Sequence, residues 1–197
     1  MRKIYLIRHG EPAFPAGERI CLGSTDLPLS RQGRAQGKAL RAYFANIPLA
    51  GVYSSDLLRA RETAAFLSPQ VAAVPELREL GVGCWEGLTF REIRERYPEL
   101  YALRGNDPAE HIMPGGERPA DCRDRAMAAL SHLLSETEGD LAVVAHAGVN
   151  RLILCGLLGL ELRKFLTIPQ PYGCVNCLRE DGGVLDVEAV GLVPKPI

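Results

Sequence analysis

The chain has 197 residues and a formal net charge of −1, and 47% of its side chains are hydrophobic. This length and near-average composition predict one globular domain with a substantial core, and they exclude disordered, collagen-like and disulfide-stapled proteins. Basic residues form no long cluster, so we expect no nucleic-acid partner.

The apolar runs of the sequence are too short for a membrane span. The run at 4–7 is interrupted by Arg8 and His9, and the run at 152–160 is shorter than the roughly 20 residues that cross a bilayer. We therefore expect no membrane segment, no export signal and a cytoplasmic location.

Six cysteines are spread along the chain, and only Cys174 and Cys177 form a C-x-x-C pair. A closed zinc site needs about four ligands, and the sequence has no second matching pair. We therefore expect free thiols in a reducing compartment, with no metal and no cofactor. Redox chemistry or half a zinc site is the alternative that this pair leaves open.

Hydrophobic patterning predicts strands that alternate with helices along the chain. The first half of the chain is predicted to form a strand at 3–7, a loop at 11–28, a helix after the N-cap Ser30, a strand at 51–54, a helix capped by Ser55 or Asp56 and ending near Pro69, and a strand at 71–74. A helical stretch at 90–103, interrupted by Pro98, and a Pro/Gly-rich segment at 105–119 follow. The last part is predicted to form a helix at 120–136, a strand at 141–145, a helix at 149–158, and strands at 173–179 and 184–190.

This alternation predicts an α/β fold, a three-layer sandwich with helices on both faces of a mostly parallel central sheet. The turn signal Asp181-Gly182-Gly183 predicts an antiparallel hairpin at the end of the chain. We expect a single domain over residues 1–197, with a small cap of helix and loop inserted at about 90–119.

Two histidines have equivalent settings in the sequence. His9 and His146 each follow an apolar strand and precede a glycine by one or two positions. Ligands of parallel sheets bind beyond the carboxyl ends of the strands, beside helix N-termini that favour anions. The sequence therefore predicts that both imidazoles converge on one small anionic ligand, with Arg8 beside the first. His111 and His132 lack this setting and are interpreted as structural or exposed.

A further cation follows the second predicted strand. Residues 54–61 read SSDLLRAR and begin a helix directly after that strand. This placement points the planar guanidinium of Arg59 at a phosphate near the end of the strand. Arg61 is interpreted as a surface arginine that pairs with Glu62 or Asp56.

These residues stand in motifs that resemble those of the histidine phosphatase (phosphoglycerate mutase-like) superfamily. The segment LIRHGE at 6–11 carries the L-x-R-H-G-E signature of that family. Four further segments match family motifs in the family's order: TDLPLSRQGRAQ at 25–36, SSDLLRARETA at 54–64, LREL at 77–80 with WEG at 85–87, and VAHAG at 144–148.

The resemblance implies a role for each candidate site residue. It makes His9 the nucleophile that becomes a phosphohistidine, and Glu79 the proton donor. Arg8, Arg59 and His146 would bind the phosphate.

From the residues alone, three other carboxylates compete with Glu79 for the role of proton donor. They are Glu11, Glu76 and Glu86. A proton donor of this kind first protonates the leaving alkoxide and then acts as a base towards water, a task that any well-placed carboxyl group can perform.

The predicted activity is hydrolysis of a small phosphate monoester, a phosphorylated metabolite. A neutral imidazole is a competent nucleophile at pH 7, and phosphoryl transfer mainly needs positioning and charge neutralisation, so no metal is required. Within the family the chain most resembles α-ribazole-5′-phosphate phosphatases, which implies a role in cobalamin biosynthesis. The alternatives are a cofactor-dependent phosphoglycerate mutase and a non-catalytic regulator that binds phosphorylated ligands. The sequence does not indicate the leaving group or the oligomeric state.

Overall fold

Strands and helices alternate along residues 1–195, the part of the chain that this computed structural model describes. The strands are β1 (Arg2–Arg8), β2 (Gly51–Ser54), β3 (Ala72–Ala73), β4 (Leu141–Ala145), β5 (Val175–Asp181) and β6 (Val184–Leu192). The α-helices are α1 (Arg31–Tyr43), α2 (Leu58–Ala64), α3 (Phe90–Arg96), α4 (Pro98–Asn106), α5 (Pro119–Glu136) and α6 (Ala147–Leu157). No helix in this part of the chain is long and apolar enough to cross a membrane.

The six strands form one sheet in the order β3-β2-β4-β1-β5-β6. β1, β2, β3 and β4 run parallel, whereas β5 pairs antiparallel with β1 and β6 pairs antiparallel with β5. Gly182 and Gly183 form the turn between the last two strands with φ angles of 57° and 85°, which glycine adopts without strain. The predicted mostly parallel sheet with an antiparallel end is confirmed.

The sheet is covered by helices on both faces. Successive side chains of β1 point to opposite faces, so Ile4 and Leu6 pack with α5 and α6, while Tyr5 and Ile7 pack with α1 and α2. Every residue of β4 is buried, as expected for a central parallel strand. The predicted three-layer α/β architecture is confirmed.

The segment predicted as a cap forms two short helices and a loop at 90–118, and its last residue, Pro119, begins α5. The predicted helical stretch divides into α3 and α4 at Pro98, whose ring and missing N–H do not allow a helix to continue through it. Trp85, Ile93 and Met113 form a small hydrophobic cluster, separate from the two that cover the sheet. This segment therefore has its own packing and lies over one side of the cleft described below.

The N-terminus of α2 is capped differently from the sequence prediction. Neither Ser55 nor Asp56 caps it. Ser55 Oγ accepts the N–H of Leu57 at 3.3 Å, and Asp56 binds the guanidinium of Arg78 at 2.5 and 2.7 Å. Instead, the N–H of Leu58 donates to Asp26 Oδ1 at 2.6 Å. A loop that is distant in sequence thus supplies the acceptor for the first turn of this helix.

Helix α6 begins two residues earlier than predicted. Its first residue is Ala147 and its N-cap is His146, so the N-terminus of the helix directly follows the end of β4. This places the free N–H groups of the first turn next to the second histidine.

Candidate active site

The carboxyl ends of β1 and β4 bring the two histidines together. Arg8 and Ala145 are paired residues of these neighbouring parallel strands, so the residues that follow them meet at the same edge of the sheet. The ring centroids of His9 and His146 are 5.0 Å apart, with an angle of 61° between the planes. The predicted convergence of the two imidazoles is present in the structure.

The hydrogen bonds of His9 define which nitrogen carries the proton. Nδ1 lies 2.6 Å from the carbonyl oxygen of Gly10, which only accepts, so Nδ1 is the donor. Nε2 accepts a hydrogen bond from Arg59 Nε at 3.3 Å. Burial, Arg59 and Arg8 hold the pKa of His9 well below its usual value. The ring is therefore neutral at pH 7, with its lone pair on Nε2.

Arg59 is fully buried and held by the loop at residues 23–25. Its Nη1 donates to Thr25 O and its Nη2 donates to Gly23 O, both at 2.8 Å. Burial lowers the pKa of Arg59. Glu86 holds this loop in turn, because its carboxylate accepts the N–H groups of Gly23, Ser24 and Thr25 at 3.0–3.1 Å.

Arg8 keeps an unsatisfied donor in the site. Its Nη1 donates to Gln170 O, and its guanidinium stacks on Tyr172 with 3.7 Å between Cζ and the ring centroid. Arg8 Nε is buried without a hydrogen-bond partner among residues 1–195, and burial lowers the pKa of Arg8. A buried donor without an acceptor costs about 1–3 kcal/mol, so this atom points to an acceptor supplied by a ligand.

His146 is fully buried, and neither of its ring nitrogens has a hydrogen-bond partner within the described part of the chain. Burial, followed by the nearby Arg59, His9 and Arg8, holds the pKa of His146 well below its usual value. The structure thus places a second neutral imidazole, free to bind a ligand, beside the first.

Glu79 lies at the N-terminus of α6. Its carboxylate accepts the N–H of Gly148 at 3.0 and 3.2 Å and the N–H of Val149 at 3.3 Å. The N-terminus of a helix favours a negative group, and this contact fixes the carboxylate in the same cleft as His9.

The three competing carboxylates lie elsewhere. Glu11 accepts a hydrogen bond from Ser30 Oγ at 2.7 Å, and Glu76 is exposed. Burial raises the pKa of Glu86, but the hydrogen bonds that it accepts from residues 23–25 outweigh this effect and lower it. Of the four candidates, only Glu79 lines the cleft.

The cleft beside these residues has a volume of about 250 Å³. Sequence analysis missed most of its lining, including three arginines and a tyrosine: Arg19, Arg104, Arg151 and Tyr172. Arg151 lies one helical turn after the start of α6, and this position could have identified it from the sequence. No local sequence feature marked the other three residues. Most of the remaining lining is apolar: Phe14, Ile20, Leu22, Val82, Trp85, Phe90, Met113, Phe165 and Leu166.

Two other candidates lie outside this arrangement. Arg61 is exposed, and the expected pairing is wrong because Glu62 accepts the N–H of Leu29 and Asp56 binds Arg78. All six cysteines are free thiols. Within residues 1–195, no three His, Cys, Asp or Glu side chains are grouped so that they could hold a metal ion.

Comparison with known protein sequences gives one family and several phosphatases. The family described as histidine phosphatase superfamily (branch 1) matches residues 4–192. The chain is similar to a metal-independent phosphoserine phosphatase of Arabidopsis thaliana, with 37% identity over 77% of this chain. It spans 66% of that protein, just under two thirds of its length. It is also similar to a glucosyl-3-phosphoglycerate phosphatase of Mycolicibacterium vanbaalenii, with 31% identity over 82% of this chain and 76% of that protein.

Solved structures share the fold over nearly the whole chain. Bacillus stearothermophilus YhfR superposes with a TM-score of 0.90 at 29% identity and covers 98% of both chains. The α-ribazole phosphatase from Shigella flexneri superposes with a TM-score of 0.84 at 23% identity, over 99% of this chain and 98% of that chain. At this lower identity the likeness concerns the fold alone.

The lowered pKa values of His9 and His146 predict how stability depends on pH. As the pH falls through about 6.5, both imidazoles become protonated in the unfolded chain, whereas the buried rings stay neutral. The unfolded state then binds more protons, so the free energy of unfolding falls below pH 6.5 by up to about 1.4 kcal/mol per pH unit for each histidine.

Urea denaturation at pH 7.5, 6.5 and 5.5 measures this slope. The variant His146→Gln is the control, because glutamine does not titrate and removes one of the two contributions. We expect a shallower loss of stability in the variant than in the wild type. Equal slopes in the two proteins would contradict the assignment of His146 as a neutral buried base.

Proposed function

We propose that this chain, which belongs to the histidine phosphatase superfamily, hydrolyses a small phosphate monoester through a phosphohistidine formed on His9. The family predicted from the motifs is confirmed, and its assignment as a phosphatase agrees with the names of the relatives. The observation that carries the proposal is the state of His9, because its Nδ1–H is bound to Gly10 O and leaves Nε2 unprotonated.

Arg8, Arg59 and His146 are proposed to bind the phosphoryl group. Support comes from the atoms that lack partners in the described part of the chain, Arg8 Nε and both ring nitrogens of His146. Phosphoryl transfer spreads negative charge over three oxygens, and fixed donors aimed at them stabilise the transition state. Because two guanidinium groups supply the positive charge, we propose that the reaction needs no metal.

In the first step, the lone pair of His9 Nε2 attacks phosphorus and the bond from phosphorus to the leaving oxygen breaks. The leaving oxygen takes a proton from the carboxyl group of Glu79. The products of this step are the free alcohol, a phosphohistidine and the Glu79 carboxylate.

In the second step, the Glu79 carboxylate removes a proton from a water molecule that attacks the phosphohistidine. The bond between phosphorus and Nε2 breaks, the lone pair returns to His9, and inorganic phosphate leaves. Glu79 is again protonated, so both groups are restored for the next turnover.

Hydrolysis is favoured over the mutase alternative by the size of the segment at 90–119, which we propose acts as a cap on a single domain. A mutase has to exclude water while its intermediate reorients, and α3 and α4 contain only seven and nine residues. The complete set of His9, Arg8, Arg59, His146 and Glu79 argues against a non-catalytic regulator.

We propose α-ribazole as the leaving group, so that the substrate is α-ribazole 5′-phosphate. Support comes from the apolar lining of the cleft, which includes Trp85, Phe90 and Leu166, because α-ribazole carries an apolar aromatic base. Burying about 100 Å² of such a base is worth about 2.5 kcal/mol. The second candidate is phosphoserine, which is favoured by the 37% identity with the plant phosphoserine phosphatase.

The variant His9→Ala tests the nucleophile. We expect it to abolish hydrolysis of p-nitrophenyl phosphate while the circular dichroism spectrum is retained, because His9 lies at a strand end outside the main hydrophobic clusters. When the wild-type reaction is run in EDTA with ³²P-labelled substrate and quenched rapidly with alkaline detergent, label should be trapped on Nε2 of His9. Label on a cysteine or serine, or a requirement for added metal, would contradict the mechanism.

Glu79→Gln tests the proton donor. Glutamine keeps an oxygen that can accept the N–H of Gly148 but has no acidic proton, so we expect hydrolysis of propyl phosphate to slow by about 10²–10⁴-fold. Hydrolysis of p-nitrophenyl phosphate should slow much less, because p-nitrophenolate leaves without a proton. Glu11→Gln is the matched control and should behave as wild type. Equal losses for both substrates would assign the acid to another group.

A substrate panel tests the leaving group. We expect kcat/KM to be highest for α-ribazole 5′-phosphate, above O-phosphoserine, with negligible conversion of 3-phosphoglycerate to 2-phosphoglycerate in the presence of 2,3-bisphosphoglycerate. The variants Phe90→Ala and Leu166→Ala remove half-exposed apolar side chains, and should lower kcat/KM for α-ribazole 5′-phosphate only. A higher value for O-phosphoserine would favour the second candidate, and efficient isomerisation would refute the phosphatase.

A further inference from the structure

Three buried amide side chains form a hydrogen-bonded network behind the proposed phosphate site. Gln170 is 3% exposed, and Asn150 and Asn176 are fully buried. They come from three separate parts of the fold: α6, the segment after the 3-10 helix Leu162–Thr167, and β5. None of them has a part in the mechanism described above.

The hydrogen bonds of this network specify one orientation of each amide. Gln170 Nε2 donates to Asn176 Oδ1 at 2.7 Å, and Asn176 Nδ2 donates to Gln170 Oε1 at 3.1 Å. Asn176 also donates to Leu6 O at 2.8 Å in β1 and accepts the N–H of Gly191 at 2.9 Å in β6. Turning either amide over would set donor against donor and acceptor against acceptor, so the position of Gln170 is well determined.

The network is connected to both sides of the proposed phosphate site. The backbone carbonyl of Gln170 accepts Arg8 Nη1, and Tyr172, two residues later, stacks on the same guanidinium. On the other side, Asn150 Nδ2 donates to Gln170 Oε1 at 3.2 Å. Asn150 lies one helical turn after His146 and donates its N–H to the carbonyl of that residue at 2.9 Å.

Burial of three amides is not the most stable way to fill this space. Buried polar groups lose their hydration, and a well-packed apolar core of the same shape is often as stable or more so. All side-chain amide atoms of Gln170 and Asn176 have partners, whereas Asn150 Oδ1 has none within the described part of the chain. What the bonds of Gln170 and Asn176 add is a unique geometry. Here that geometry is transmitted to Arg8, whose acceptor and stacking partner both belong to the segment that Gln170 anchors.

We propose that Gln170, fixed by Asn176 and Asn150, is a positioning residue that holds the Arg8 guanidinium in place for the phosphoryl group. The inference rests on the proposed function, because it takes Arg8 to bind phosphate. Gln170 acts only through Arg8 and Tyr172 and does not touch the substrate.

A double-mutant cycle between Gln170→Met and Arg8→Ala tests this coupling. Methionine has a similar length without the amide, and Asn176 keeps its bonds to Leu6 and Gly191. The measurements are kcat/KM for p-nitrophenyl phosphate and the affinity for inorganic phosphate by titration calorimetry. We expect Gln170→Met to lower both by about tenfold in the wild-type background and by less than twofold in the Arg8→Ala background.

Two further variants separate positioning from loss of stability. Phe44→Leu weakens the hydrophobic cluster on the opposite face of the sheet, and should lower the melting temperature without changing kcat/KM or phosphate affinity. Asn150→Ala removes a single hydrogen bond of the network. If Gln170→Met does not fold, Asn150→Ala takes its place in the double-mutant cycle with Arg8→Ala.

Equal losses from Gln170→Met in both backgrounds would overturn the inference, as would unchanged phosphate affinity in a folded Gln170→Met protein. The phosphate titration does not need turnover, so it separates this inference from the proposed function. If the phosphate affinities show the coupling but the wild-type protein hydrolyses no monoester, only the proposed function is refuted.

Discussion

Two arginines are held at the edge of the sheet by carbonyl oxygens and not by carboxylates. The chemistry of the site depends on the positive charge that these neutral acceptors leave uncancelled. Arg59 donates to Thr25 O and Gly23 O, and Arg8 donates to Gln170 O. A carbonyl group orients a guanidinium without cancelling its charge, whereas a buried carboxylate would neutralise it. The positive charge therefore remains available for an anionic substrate.

The same uncancelled charge acts on the histidines. Arg59 and Arg8, together with burial, lower the pKa of both His9 and His146, so neither imidazole is protonated before a substrate arrives. The positive charge that would bind the phosphoryl group is thus the charge that keeps His9, the proposed nucleophile, unprotonated.

Much of this arrangement follows from local features of the sequence. The alternation of apolar runs gave the order of strands and helices, and Gly182-Gly183 marked the hairpin, because periodicity and turn chemistry are properties of short segments. The positions of His9 and His146 after two apolar strands indicated their convergence, since the ends of parallel strands share one edge of a sheet. The five motifs, from the segment at 6–11 to the segment at 144–148, added the family.

By itself, then, the sequence determined the fold class, the family and the residues that follow each strand. Only the tertiary structure decided which distant groups meet: that Asp26 caps α2, that Glu79 lies in the cleft while Glu86 holds a loop, and that Gln170 and Tyr172 support Arg8. These contacts join segments far apart along the chain. Such contacts depend on the burial and hydrogen bonding of the folded molecule, which no local pattern of residues encodes.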